Sequence, residues 1–208
     1  MEDVLSVYQR PFDPMRPVVC LDETSRQLLA DTRPPLPAAP GQPARHDPEY
    51  ARGGVVNLFL ATEPLRGWRT VLVSDQRTRL DFARCIKELV EVHYPEAERI
   101  VLVLDQLNTH SPASLYAAFP PAEAKRLTDK LEIHHTPKHG SWLNMAELEL
   151  SVLARQCLRQ RLGERTAMDR AVTAWADRRN AATSTINWQF TSTDARIKLR
   201  RLYPAYDD

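Results

Sequence analysis

Several signatures are missing from this chain, and each absence narrows its function. It has no uninterrupted apolar stretch of about 18 residues, the length that spanning a bilayer demands. Its opening Met1-Glu2-Asp3 is acidic where a secretory leader would be basic. Cysteine is scarce and odd in number: Cys20, Cys85 and Cys157 show no C-x-x-C spacing and sit in apolar-periodic segments. They read as buried thiols of a reducing compartment, so a cytosolic protein is expected. No glycine-rich phosphate loop, H-E-x-x-H or G-x-S-x-G occurs, which takes support from ATPase, zincin and serine-hydrolase readings. A formal net charge of +1 provides no global basic field to argue a nucleic-acid partner. No internal repeat is visible.

What is present suits one globular core. The chain has 208 residues, 43% apolar and 26% charged, ordinary values for a folded domain. Proline is the outlier at sixteen residues, and six of them (34, 35, 37, 40, 43 and 48) fall between residues 31 and 50 beside Gly41. Such a stretch sustains neither helix nor central strand and reads as a long loop, expected to form a partner-contacting arm. Charge is uneven along the chain. From Ser151 onward eleven Lys/Arg face six Asp/Glu, against seventeen and twenty-one before it. The C-terminal end is the basic one, though a solvated helix face explains that equally well.

Hydropathy patterning predicts a mixed α/β fold. Pro17–Leu21 is a short β-branched strand that stops at Asp22. Residues 55–60 and 70–74 read as two antiparallel strands joined through Gly67. A helix follows Thr78, an N-cap with Asp81 at N3, and ends by Pro95. Residues 100–104, Ile-Val-Leu-Val-Leu, have no polar alternation and read as a strand covered on both faces, ending at Asp105. A helical stretch near 112–128, a brief strand at 131–134 and a long helix from about Asn144 to Leu162, stopped by Gly163, come next. A further helix carries Met168, Val172 and Trp175 to about Asn180. This order predicts a lead-in over residues 1–16, a folded core domain over 17–180 that contains the loop at 31–50, and a basic tail over 181–208.

Two apolar strands that each end at an aspartate, Asp22 and Asp105, form the clearest chemical signal. If they lie parallel and adjacent, both carboxylates emerge at the sheet end where α/β sites gather. Oxygen ligands there suit magnesium, and paired ions stabilise attacking and leaving oxygens together. Each aspartate alone is more readily explained as a strand end or cap. The helix opening at Asn144 offers a third carboxylate, but Asn144 and Glu147 also fit a capping box, and Glu147 and Glu149 flank the apolar stripe on opposite edges. Periodicity leaves both glutamates open. His134 and His135 would point to opposite faces of a strand, poor geometry for sharing one zinc. Trp142, Trp175 and Trp188 read as packing residues.

The strings Val19-Cys20-Leu21-Asp22-Glu23-Thr24, Leu104-Asp105-Gln106-Leu107-Asn108-Thr109-His110 and Thr136-Pro137-Lys138-His139-Gly140-Ser141-Trp142-Leu143-Asn144-Met145-Ala146-Glu147 together resemble bacterial insertion-sequence transposases of the mariner superfamily. The resemblance spans nearly the whole chain. It implies a ribonuclease H-like sheet, three antiparallel strands followed by parallel ones, flanked by helices. It also implies a DDE triad of Asp22, Asp105 and Glu147, the last from the pattern Asn-x-x-Glu. Two Mg2+ ions, replaceable by Mn2+, would be held by these three residues, with Asp22 between both, for cleavage and strand transfer at the ends of the element. The implied partners are double-stranded DNA and a second subunit, in the bacterial cytoplasm at the nucleoid. His110, Lys138 and His139, in loops expected to border the carboxylates, and the basic Arg196, Lys198, Arg200 and Arg201 are the candidate DNA contacts.

Two departures from the family pattern stand out. Asp105-Gln106 replaces the common Asp-Asn, which touches a contact beside the metal. The first catalytic strand also comes within about twenty residues of Met1, so an upstream helix-turn-helix domain or a partner reading frame is expected. The alternative function is a catalytically incomplete fragment that binds DNA or full-length transposase as a remnant or inhibitor. A nonspecific nuclease that cleaves without joining is a third reading.

Overall fold

The computed structural model describes residues 1–34, 36–43, 45, 47–138 and 140–203. In chain order these form α1 (Glu2–Tyr8), β1 (Val18–Asp31), β2 (Tyr50–Glu63), β3 (Trp68–Ser74), α2 (Arg79–Glu88) and β4 (Ile100–Leu104). They continue with α3 (Pro112–Ala118), α4 (Pro121–Asp129), β5 (Leu131–His135), α5 (Met145–Gln156), α6 (Arg165–Ala181) and α7 (Ser192–Lys198). The five strands make one sheet in the order β3-β2-β1-β4-β5. The first three pair antiparallel, whereas β4 lies parallel to both β1 and β5, as the family resemblance implies.

Each face of the sheet carries its own apolar core. On one side Cys20, Val101 and Val103 meet Val4, Leu5, Ala146, Leu153, Val172 and Trp175 from α1, α5 and α6. On the other, Val19, Leu21, Leu102 and Leu104 meet Phe82, Ile86, Leu115 and Leu127 from α2, α3 and α4. Because both faces of β4 are covered, all five of its residues are buried, which explains its uninterrupted apolar sequence.

Several boundaries differ from the sequence reading. β1 does not stop at Asp22 but runs on to Asp31, because β2 pairs with it from Cys20 to the end. Its partner β4 is the strand that stops, the parallel pairing covering only Val18–Cys20 against Val101–Val103. Asp22 therefore lies within a strand, where one neighbour has just ended. The expected helix over 112–128 is two helices, α3 and α4, broken at Pro120 and Pro121, which favour a new helix start over continuation. The Pro-rich segment contains two small antiparallel bridges, Leu36 with Arg45 and Ala39 with Gln42.

The long helix expected to reach Leu162 ends at Gln156. A bulge between Gln27 and Leu29 takes the Leu29 N–H out of the ladder, and the Leu162 carbonyl accepts it at 3.0 Å. Gly163 thus serves close approach rather than helix termination: a Cβ there would meet the Ala30 Cβ at 2.7 Å. Gly67, in the β2–β3 turn, adopts φ +69°, a conformation that favours glycine.

The segments at either end fold back on the α5 side. Val4, Leu5 and Val7 of α1 are fully buried there, and Ile186, Trp188, Phe190 and Ala195 pack against the same core. Among the described residues no helix is long and apolar enough to cross a membrane.

Candidate active site

Side chains alternate across a strand, so Asp22 shares the face of Cys20, and Asp105 continues the face of Val101 and Val103. That is the side covered by α5, whose first turn carries Glu147. Three elements distant in sequence therefore deliver carboxylates to one end of the sheet, beside the gap left where β4 stops.

Asn144 builds the joint that places Glu147. It is fully buried, its Nδ2 donates to the Leu21 carbonyl at 2.9 Å, and its Oδ1 accepts from the Ala146 N–H at 3.1 Å. One side chain thus caps α5 and ties that cap to β1 one residue before Asp22. No capping box forms, because the Asn144 N–H is already given to the Ser141 carbonyl at 2.7 Å. Glu147 is not consumed as a cap.

Glu149, the other open candidate, is taken. It is 1% exposed and accepts from Arg179 Nη2 at 2.7 Å and Nε at 3.1 Å, while Arg69 Nε lies 3.3 Å away. Its charge is used to join β3, α5 and α6.

The electrostatics mark Asp22. Burial pushes its pKa from 3.8 to about 7, and the charges of Glu23, Asp105 and Glu147 add to the rise. The Glu23 N–H, donating to Oδ1 at 2.8 Å, opposes it. For Asp105 burial also acts upward, but the hydrogen bonds from His110 and the Leu107 N–H, together with the charges of His110 and His135, outweigh it and hold the carboxyl below its ordinary value. Asp105 Oδ1 takes both His110 Nδ1 at 2.6 Å and the Leu107 N–H at 3.2 Å. Neither Asp22 nor Asp105 has a hydrogen bond on Oδ2 among the described residues.

Among the described residues no three His, Cys, Asp or Glu side chains already form a closed metal cage. The donors nevertheless fit a hard cation. They are carboxylates, two have a free oxygen, and the raised pKa of Asp22, set first by burial and then by neighbouring carboxylates, marks a place where a divalent ion would offset crowded negative charge.

The other candidates separate. The His110 side chain is fully buried, Nε2 lying 3.0 Å from Glu23 Oε2 and the ring 4.7 Å from that of Phe82. Burial works against its charge, but its bonds to Asp105 and Glu23 prevail and raise its pKa to about 9. The expectation that His110 meets a phosphate from a surface loop is corrected: packing against α2 leaves it no exposed face. Lys138 is exposed and lines an open cleft of about 200 Å³ with Asp105, Gln106, Leu107, Thr136, Pro137 and Ser141. His139 lies outside the described residues. Arg196 is held by Glu2 through two bonds of 2.8 and 2.7 Å, and Lys198 lies 3.6 Å from Asp194, so neither is an uncommitted cation. Arg200 and Arg201 are exposed.

Sequence reasoning missed the cross-tie made by Asn144 and the burial of Glu23 and His110. The first was half visible as a helix cap. The others depend on α2 packing beneath the strand ends, which no local spacing reveals.

A family profile described as DDE superfamily endonuclease matches residues 17–169. Among solved structures, the chain is similar to the "Crystal structure of the Mos1 Strand Transfer Complex" at 16% identity and TM-score 0.56, covering 88% of this chain and 56% of that one. It is likewise similar to the "Mos1 transposase paired-end complex with left transposon end" at 17% identity and TM-score 0.56, with the same coverage. The chain thus spans a little over half the length of these structures, and likeness at this identity establishes a shared ribonuclease H-like fold. No curated protein matches its sequence. With the profile covering most of its length, the chain belongs to the DDE superfamily endonucleases.

Proposed function

We propose that this chain is the catalytic domain of a transposase that cuts DNA at the ends of an insertion sequence and joins them to target DNA. Asp22, Asp105 and Glu147 are its catalytic carboxylates and hold two Mg2+ ions, for which Mn2+ substitutes. The observation that carries this reading is the arrival of three acidic side chains from β1, β4 and α5 at one sheet end, close enough that two of them raise the pKa of the third. Divalent ions bound there supply the positive charge that favours deprotonation of a water or 3′ hydroxyl and stabilises the departing 3′ oxygen.

The chain's own residues prepare that chemistry. Asp22 keeps one oxygen on the Glu23 amide and offers the other. Asp105 does the same, with Oδ1 occupied on both His110 and Leu107. Glu147 rides on a helix whose first turn is fastened to β1 by Asn144. The cleft beside Asp105 suits a DNA strand, with Lys138 facing a phosphate at its mouth, and Arg200 and Arg201 add sequence-independent backbone contacts. Two copies paired on two DNA ends, with end recognition supplied by an upstream domain or partner chain, complete the proposal.

The test is cleavage and joining of labelled element-end DNA in Mg2+ against EDTA. Asp22→Asn, Asp105→Asn and Glu147→Gln should each fall to background with the fold retained. Near-normal cleavage by any of them, in folded protein, removes that residue from the triad. Cleaved but never joined product indicates a plain nuclease, and DNA binding without any metal-dependent product favours a catalytically incomplete fragment.

A further inference from the structure

His110 stands between two carboxylates, Glu23 on β1 and Asp105 just after β4. Nδ1 donates to Asp105 Oδ1 at 2.6 Å, and Nε2 lies 3.0 Å from Glu23 Oε2, the residue after Asp22. One ring therefore spans from within β1 to the residue after β4, just past the point where their own pairing has finished.

The ring itself has little freedom. The His110 N–H donates to the Leu107 carbonyl at 2.9 Å, and the His110 carbonyl accepts from His135 Nε2 at 3.1 Å. Phe82 packs on the ring and solvent does not reach it. A side chain fixed at its backbone, its ring face and Nδ1, with Nε2 in ion-pair contact with Glu23, transmits its position to whatever it holds.

We propose that His110 is a positioning residue for Asp105: by occupying Oδ1, it fixes the carboxylate so that Oδ2 faces Asp22 and Glu147 as a metal ligand, while Glu23 anchors the far side of the ring. This rests on the triad reading above. Hydrogen-bond partners that orient metal ligands commonly contribute about 10–100-fold in metal affinity.

Two amide substitutions separate the ring's hydrogen bond to Asp105 from its ion-pair contact with Glu23. In His110→Asn the amide nitrogen falls near the position of Nδ1 and keeps the bond to Asp105, whereas in His110→Gln it falls near Nε2 and keeps only the side toward Glu23. Mn2+ titration of the metal-free chain, by calorimetry or electron paramagnetic resonance, is the first readout. His110→Gln should weaken Mn2+ binding at least about tenfold, His110→Asn should stay within roughly threefold, and the KM for DNA should hardly change in either. Equal weakening in both variants, or wild-type Mn2+ affinity in His110→Gln, overturns the assignment.

A second measurement needs no variant to fold. In 15N-histidine-labelled wild-type protein the Nδ1–H resonance of His110 should be protected from exchange and should shift when Mg2+ is added; an unmoved resonance overturns the proposal. Asp105→Asn distinguishes the two readings. If it abolishes Mn2+ binding while His110→Gln does not weaken it, the triad stands and the positioning role falls. If wild-type protein binds no Mn2+, both fall.

Discussion

A carboxyl group buried beside other carboxylates gives up its proton late, and Asp22 retains its own up to about pH 7. The folded form then binds more protons than the unfolded chain, whose aspartate titrates at the ordinary 3.8. This contribution to stability is fully present below that ordinary value and is lost as pH rises toward 7. Without metal, Asp22→Asn should therefore stabilise the chain by roughly 1–3 kcal/mol at pH 8 and have little effect at pH 4. Urea unfolding across that range checks it, and a gain independent of pH contradicts the assigned cause. Asn144 makes the opposite case, since its two bonds are buried and internal. Asn144→Ala should cost about 1–3 kcal/mol by removing a cap and leaving the Leu21 carbonyl unpaired, measurable as a lower urea midpoint.

At the scale of elements, the crossing of the β1–β2 hairpin with the segment after α5 is tight. Gly163 and Gly53 meet there, and a Cβ on Gly53 would come within 2.4 Å of the Gly163 carbonyl oxygen. Gly163→Ala should cost about 1–3 kcal/mol through overpacking against Ala30, seen as a lower melting temperature. Had Gly163 been a helix terminator, the same change would instead lengthen α5 and raise helical circular dichroism.

This crossing also shows where sequence reasoning reaches its limit. Strand identity, the capping box at Thr78 and Asp81, and the β2–β3 turn at Gly67 are local, so they were legible. The true end of α5 was not, because it depends on Leu29, more than a hundred residues earlier in the chain, needing a carbonyl. Periodicity leaves Glu147 and Glu149 open for the same reason, since what separates them is the pairing of Glu149 with Arg69 and Arg179.

For the whole molecule, those two glutamates divide labour: one faces the candidate site and the other holds the helical layer to the sheet. Glu149→Ala should cost about 3–5 kcal/mol, since it strands two arginines, one of them fully buried, without a counter-charge. Glu147→Gln should leave the melting temperature nearly unchanged and remove cleavage. Calorimetry and the DNA assay on both variants give a crossed pattern, and similar behaviour in the two contradicts the division.

Folding order follows from the short parallel contact between β1 and β4. The β1–β2–β3 meander joins neighbours in sequence, whereas the parallel pair closes a loop of about eighty residues through only Val18–Cys20. Local pairings tend to form before such distant ones, so the meander should assemble early, with β4 and then α5 arriving later. Asp22 would wait on a half-built scaffold for its two acidic companions. A nascent or partly unfolded chain would then lack the assembled carboxylate cluster, and any chemistry that depends on it would emerge only with the last docking event.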